Sequence, residues 1–428
     1  MDSTGSDWSK GNTGMLSASW APLSPAERAV AIEVLTHGPV SRSEIARKLN
    51  LSAGSLTRLT KPLIESGLLV EDPPPAFSPV RGESPAPALS PSPSASAFPS
   101  PAPPPPPATR QGRPSQPLDV VADSRFFAGF KVTEDTVYGV VTNLRSDVVA
   151  ARARSLRSRE PVDVADLLHA MTADFAVEFP RLAGIGVGIG GHVIGPDRAV
   201  TSPFLGWEGA PFADLLEQRT DLPVVVENDV AALVESEAWF GAGRGLDRFA
   251  VLTIGAGVGY GLVIGGRLVR SGDDGRGIGR RWIVNPYGPL TPDGDRGSAV
   301  SLLSIPSIRY QVAAATGRDH TYEEILTLAA AGHPLAARVI DEAARALGTV
   351  VAQIANFAMP QKILLAGEGV GLVEVANPAI DEAIAANRHP LAEPVALETK
   401  ISDFNDWARG AAVLAIQILV LGRPKTSQ

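Results

Sequence analysis

Cysteine is absent from the 428 residues. That excludes disulfides, thiolate nucleophiles and any zinc site built on sulfur. Histidine is scarce: the six stand at His37, His169, His192, His320, His333 and His389 without ligand-pair spacing, so each reads as a surface or locally satisfied side chain. Long apolar runs are also missing. The least polar stretch, residues 249–266, has the length of a membrane span but contains six glycines and runs into Arg267 and Arg270. Residues 1–22 hold Asp2 and Asp7 and no apolar core, so no signal peptide, no membrane and a cytoplasmic location are expected.

What is present suits a globular chain. Hydrophobic residues make up 44% and charged residues 20%, enough for a sizeable core, and the length allows about three domains. Of 37 prolines, 17 fall in the 45 positions of residues 73–117, leaving 20 in the other 383. One segment therefore carries the whole bias. Net charge is −8, yet residues 41–61 hold five Lys or Arg against the single Glu44, a local excess of the kind that meets nucleic acid.

Residues 24–72 read as short helices followed by a strand. Ser24-Pro25 with Glu27 has a capping serine, a proline at the first helical position and a glutamate three residues after the serine. Val30, Ile32, Val34 and Leu35 follow, and Gly38-Pro39 ends this helix. Ser41 with Glu44 forms a second capping box, and Ile45 and Leu49 give the short helix its buried face. Asn50-Leu51-Ser52 is a three-residue turn with Ser52 as the next cap; Leu56, Leu59 and Leu63 then recur at helical spacing. Pro62 should bend that helix after Lys61, because it removes a backbone donor. Gly67 closes it and Leu68-Leu69-Val70 starts a strand.

This is the plan of a winged helix-turn-helix over residues 22–72. The helix beginning at Ser52 would lie in a major groove, with Ser52, Ser55, Thr57, Arg58 and Lys61 offering hydroxyls and cations to base edges and phosphates. Arg42, Arg47 and Lys48 would add phosphate contacts that weaken steeply with salt. The alternative is an ordinary helical hairpin with a solvated face. Residues 1–21 and 73–117 lack the apolar content to build a core and are expected to be disordered or locally polyproline II. Arg110-Gln-Gly-Arg113-Pro114 closes the second segment; Arg110 and Arg113 around a glycine form a narrow extended cation suited to an A·T-rich minor groove.

From Leu118 to the C-terminus the pattern changes to alternating strands and helices. Phe130 to Val141 reads as a hairpin, residues 162–179 as a helix, residues 184–189 and 223–226 as buried strands, and residues 230–239 as a helix. Residues 249–264 form a glycine-punctuated hairpin, residues 338–358 a long helix and residues 363–365 a strand. An α/β region of this size can split into two lobes.

Four stretches carry a family resemblance: Gly188-Ile-Gly-Gly-His-Val193, Leu205-Gly-Trp-Glu-Gly209, Pro223-Val-Val-Val-Glu-Asn-Asp229 and Ile254-Gly-Ala-Gly-Val-Gly-Tyr-Gly261. Asn285-Pro-Tyr-Gly-Pro289 and Ala366-Gly-Glu-Gly369 add to them. With these, the chain resembles the ROK family of bacterial sugar kinases and sugar-responsive repressors, specifically its repressor branch. The resemblance implies a two-lobed actin-like, ribonuclease H-like sugar-kinase fold over residues 118–428. Lobe 1 would take about 118–229 plus 405–428 and lobe 2 about 230–404. It also implies that the proline-rich segment interrupts the wing.

The departures from the family pattern bear on activity. A kinase of this family opens its large domain with an Asp and a glycine-rich turn that position metal and phosphates. Here Lys131 takes the place of the Asp, and Thr133 and Glu134 replace glycines. In the second phosphate loop Ala256 replaces a hydroxyl and Tyr260 a glycine. The family's zinc ligands fall on Arg280 or Arg281, Thr291, Asp293 and Ser298, a set that borderline-soft Zn²⁺ does not favour. Of the sugar-binding groups Asn228 and Asp229 remain, while a Glu and a His are gone. Losing two of about five polar partners should weaken a neutral hexose by several kcal/mol, roughly.

The implied effector set is Asn228, Asp229 and Gly191, with Arg280 and Arg281 available to an anion such as a sugar phosphate or sugar acid, or else paired with neighbouring acids. The expectation is therefore a transcriptional regulator without catalysis, cofactor or metal. It would bind a palindromic double-stranded DNA operator as a homodimer or homotetramer. Two alternatives stand beside it: a sugar kinase with a fused DNA-binding domain, and an effector-independent regulator controlled by a protein partner on the proline-rich segment.

Overall fold

The computed structural model describes residues 22–71, 116–194, 199–291, 294–401 and 403–422. The expected disordered tail, most of the proline-rich segment, Arg110, Arg113 and Asp293 lie outside the described residues. The described chain forms two compact units, one within Ala29–Val121 and the other comprising the residues up to Arg28 and from Ala122 onward.

The smaller unit holds most of α1 (Pro25–His37), then β1 (Val40–Ser41), α2 (Arg42–Lys48), α3 (Ala53–Glu65), β2 (Leu69–Glu71) and β3 (Pro117–Val120). Its caps are those expected. Ser24 and Glu27 cap α1 reciprocally, Ser41 accepts the Glu44 amide at 3.2 Å, and Ser52 accepts the Ser55 amide at 3.1 Å. Asn50 takes a left-handed φ of 52° in the turn, a conformation asparagine tolerates better than most residues. Val34, Ile45, Leu56, Leu63 and Leu68 fill the core. The bend expected after Lys61 does not interrupt the helix, because α3 continues through Pro62, on its exposed side, to Glu65.

The strands join in the order β1-β3-β2, all antiparallel, with Leu69 facing Val120 and Val40 facing Leu118. Residues 117–120, assigned above partly to the large domain, thus belong to the small unit's sheet. The reason is non-local: Leu118 and Val120 alternate into the small unit's core, in a strand that pairs with β1 and β2. Residues 72–116 connect the paired strands β2 and β3.

The larger unit contains two five-stranded sheets among the described residues. The first has the order β11-β7-β4-β5-β6, from β4 (Phe126–Val132), β5 (Thr136–Asn143), β6 (Val148–Ser155), β7 (Leu182–Ile189) and β11 (Val224–Asn228). A small sheet of β8 (His192–Ile194), β9 (Ala199–Ser202) and β10 (Trp207–Ala210) is inserted between β7 and β11. Helices α4 (Pro161–Glu178) and α5 (Phe212–Thr220) help to enclose its core of Phe130, Val141, Leu168, Phe175, Val187 and Phe212.

Helix α6 (Asp229–Phe240) leads to the second sheet, β14-β13-β12-β15-β16, made of β12 (Arg248–Ile254), β13 (Val258–Ile264), β14 (Arg267–Leu268), β15 (Lys362–Ala366) and β16 (Leu397–Thr399). Its helices are α7 (Ala299–Leu303), α8 (Ile305–Thr316), α9 (Tyr322–Ala330), α10 (Pro334–Ala358) and α11 (Leu372–Ala386), gathered on Leu252, Ile340, Leu347 and Leu365. The last helix, α12 (Phe404–Ala415), returns to the first sheet. There Gly129 and Gly186 admit its backbone, since a Cβ at either would overlap α12 main-chain atoms. In each sheet central strands run parallel, and β11 and β15 lead from their carboxyl ends into helical segments, the arrangement that places sites beyond strand ends.

Candidate functional site

Two groups of predicted residues come together separately. In the small unit, Arg47, Lys48, Ser52, Thr57, Arg58 and Lys61 are exposed, while Arg42 and Ser55 are half-buried. Ser52 and Thr57 spend their protons locally: Ser52 Oγ donates to Ser55 Oγ at 2.9 Å, and Thr57 Oγ1 donates to the Ala53 carbonyl at 3.0 Å.

The cations divide. Arg42 donates to Thr60 Oγ1 at 2.7 Å and pairs with Glu71, tying α2 to α3 and β2. Lys48 pairs with the buried Glu33 at 2.8 Å, and His37 lies 3.3 Å from the same carboxylate, tying α2 to α1. These two, expected among the phosphate contacts, therefore brace the fold, and their charge is offset internally. Lys61 lies 3.7 Å from Glu65, a loose exposed pair. Among the described residues Arg47 and Arg58 show no ion pair.

The second group sits where β11 becomes α6. Asn228 Oδ1 accepts the Ala231 amide at 3.1 Å, which caps α6, and its Nδ2 donates to the Gly191 carbonyl at 2.9 Å. Asp229 Oδ1 accepts the Val230 amide at 2.8 Å, and Oδ2 accepts from the ammonium of Lys131 on β4, which lies beyond β7 in the sheet. Both side chains of this ion pair are about nine-tenths buried, at 10% and 11% exposure. The ammonium also stands 5.3 Å from the centre of the Trp407 ring in α12. Sequence reading placed Lys131 as a lost aspartate but missed its partner. The available signal was a lone cation in the apolar strand Phe126–Val132, which requires a counter-ion.

A loop after β14 covers the same place. Gly275, at φ 75°, packs so closely on Gly191 that a Cβ there would overlap the Gly191 carbonyl. The His192 ring donates from Nδ1 to the Asp274 carbonyl, and Arg270 pairs with Glu227 at 3.0 Å. Asn228, Asp229 and Gly191 thus spend these polar groups on one another, on Lys131 and on the first amides of α6, while the loop packs over Gly191. Arg280 and Arg281 turn toward Asp295, at 3.5 and 3.7 Å. Among the described residues no hydrogen bond joins them to Asn228 or Asp229.

The positions implied for nucleotide and zinc are similarly occupied. Thr133 closes the β4–β5 turn with its own hydroxyl, which donates to the Thr136 carbonyl at 2.9 Å. Tyr260 packs edge-on to Trp282 at 5.3 Å, where burial pushes its hydroxyl pKa up to about 12. Thr291 accepts the Asp295 amide at 3.0 Å, and Ser298 caps α7. Hydroxyls committed to caps and guanidinia paired with an aspartate do not fit zinc. Among the described residues no group of three or more His, Asp or Glu could hold a metal ion. Residues 205–211 line a cavity of about 290 Å³ with Arg159, Glu160 and Pro161. Among the described residues no helix is long and apolar enough to cross a membrane.

Comparison with known proteins agrees with this architecture. The ROK family profile matches residues 134–418. The DNA-binding transcriptional repressor Mlc of Escherichia coli is 22% identical over 369 residues, covering 82% of this chain and 83% of that protein. A glucokinase of Thermotoga maritima is 35% identical over 184 residues, 42% of this chain and 51% of the enzyme. Among solved structures, a crystal structure of a ROK family transcriptional regulator, a homologue of E. coli Mlc, superposes with a TM-score of 0.73. It shares 23% identity over 93% of this chain and 96% of its own.

Proposed function

The chain belongs to the ROK family, and we propose that it is a DNA-binding transcriptional regulator of the repressor branch that performs no phosphoryl transfer. Relatives in this family include both repressors and kinases, so the buried pair of Lys131 and Asp229 carries the choice. In a kinase, the carboxylate at the Asp229 position would take the proton of the attacking sugar hydroxyl. Here both oxygens of that carboxylate are already engaged, Oδ1 by the Val230 amide and Oδ2 by the Lys131 ammonium, so a sugar hydroxyl would have to displace one of these donors to reach it. The position that would organise metal and phosphate now carries a positive charge.

In this reading α1, α2, α3 and the β1-β3-β2 sheet form a winged helix-turn-helix, with α3 in the major groove and the β2–β3 connection as the wing. Arg47, Arg58 and Lys61 supply phosphate contacts. Ser52 and Thr57, whose protons are engaged locally, read base edges as acceptors, and Ser55 offers its hydroxyl. Arg110 and Arg113, outside the described residues, would enter an A·T-rich minor groove. A two-fold operator calls for a homodimer or homotetramer. An effector, if the cleft takes one, is a sugar, sugar phosphate or sugar acid that must displace the contacts around Asn228, Asp229 and Gly191 and so favour one disposition of the two sheets. A cleft without an effector would leave control to a protein partner on the proline-rich segment.

Two measurements test the proposal. Selection of genomic fragments bound by the purified chain is expected to return palindromic sites, and ATP turnover with a panel of hexoses is expected to be silent. Hexose-stimulated turnover would establish the kinase alternative instead.

A further inference from the structure

The turn between β12 and β13, Gly255-Ala256-Gly257, already holds a negatively charged group. The Gly255 amide donates to the Gly257 carbonyl at 2.9 Å, which folds the turn on itself. The Ala256 amide points away and donates to Oε1 of Glu368 at 3.0 Å. Glu368 opens the helical turn Glu368–Gly371 directly after β15, which runs parallel beside β12. Its carboxylate lies against Gly255 so closely that a Cβ on that glycine would overlap it. A carboxylate accepting a backbone amide across a bare glycine makes the contact a phosphate oxygen makes with a glycine-rich turn. Here the anion is covalently part of the chain, 112 residues from the amide it meets.

We propose that Glu368 is an internal stand-in for an oxyanion at this turn, and that it closes a phosphate site which its removal reopens. The inference rests on the reading of the chain as a non-kinase but names a separate determinant, since Glu368 does not touch Lys131 or Asp229 in any hydrogen bond among the described residues. A phosphate approaching the Ala256 amide must displace a tethered acceptor and meet its negative charge. Both oppose binding without any change in the backbone.

The test uses the full chain, with inorganic phosphate and ATP as separate probes in metal-free buffer, followed by thermal shift and titration calorimetry. Glu368→Gly is expected to bind both probes at least about fivefold more tightly than the wild type, the effect of removing one like charge from contact distance near the surface. Glu368→Gln keeps an oxygen on the Ala256 amide without the charge, and a smaller gain is expected. Equal affinity of wild type and Glu368→Gly for phosphate overturns the proposal, as does a gain for ATP alone. Should Glu368→Gly not fold, the absence of any gain in Glu368→Gln overturns it. Hexose-dependent ATP turnover by the wild type would instead defeat the non-kinase reading and is scored separately.

Discussion

Replacing Lys131 by methionine tests the central contact of the cleft. Methionine keeps most of the aliphatic stem and its packing, so the cavity contribution is small and the change isolates the charge. Asp229 is then left buried with the Val230 amide, at 2.8 Å, as its remaining local donor. Stranding one member of a buried pair costs about 3–5 kcal/mol. Asp229→Asn strands the ammonium beside Trp407 and should cost a similar amount.

The double variant removes both charges. Because desolvation of the pair offsets much of its attraction, the double variant is expected within about 1 kcal/mol of the wild type or above it. The assay is urea unfolding of the four proteins, giving a coupling free energy of several kcal/mol. The single-variant losses should persist from low to high salt, since a buried pair is screened little. A cost below about 1 kcal/mol for Lys131→Met, or one that vanishes in high salt, would place the pair among ordinary surface contacts and refute the argument.

Other outcomes follow from the same geometry. In titrations of selected DNA between 50 and 200 mM salt, Arg47→Ala and Arg58→Ala should each reduce the log–log salt slope by about one. Arg42→Ala and Lys48→Ala should leave that slope in place and lower the unfolding free energy instead, because their partners Glu71 and Glu33 are internal. Tyr260, raised to about 12 by burial from the ordinary 10.0, retains its proton longer in the folded than in the unfolded state. Its contribution is complete below pH 10 and is lost as pH rises toward 12; Tyr260→Phe should remove that part of alkaline destabilisation in pH-dependent unfolding curves. Gly275→Ala should accelerate amide hydrogen exchange in residues 190–193 and 270–276. Gly265→Ala, at a similar φ of 62° but facing open space, should leave those amides unchanged.

The sequence by itself determined the local architecture and the family. Capping pairs such as Ser41 with Glu44 act across three residues, and the apolar periods of α3 and α10 repeat within a turn or two, so the signals lie next to one another in the chain. The replacements at Lys131, Ala256 and Tyr260 were equally legible as departures from a motif. What those replacements touch was decided by tertiary structure alone. Lys131 meets Asp229 across 98 residues because β4, β7 and β11 align in one register, and Glu368 reaches Ala256 because β15 lies beside β12. The same holds for Arg42 and Lys48: a run of cations is visible in the sequence, but whether each charge faces solvent or an internal glutamate depends on how α1, α2 and β2 pack. Ion pairing depends on inverse distance between groups that only the fold brings together, whereas caps and periods depend on chain neighbours. This is why the pattern of the cleft could be read in advance and its occupation by the protein's own side chains could not.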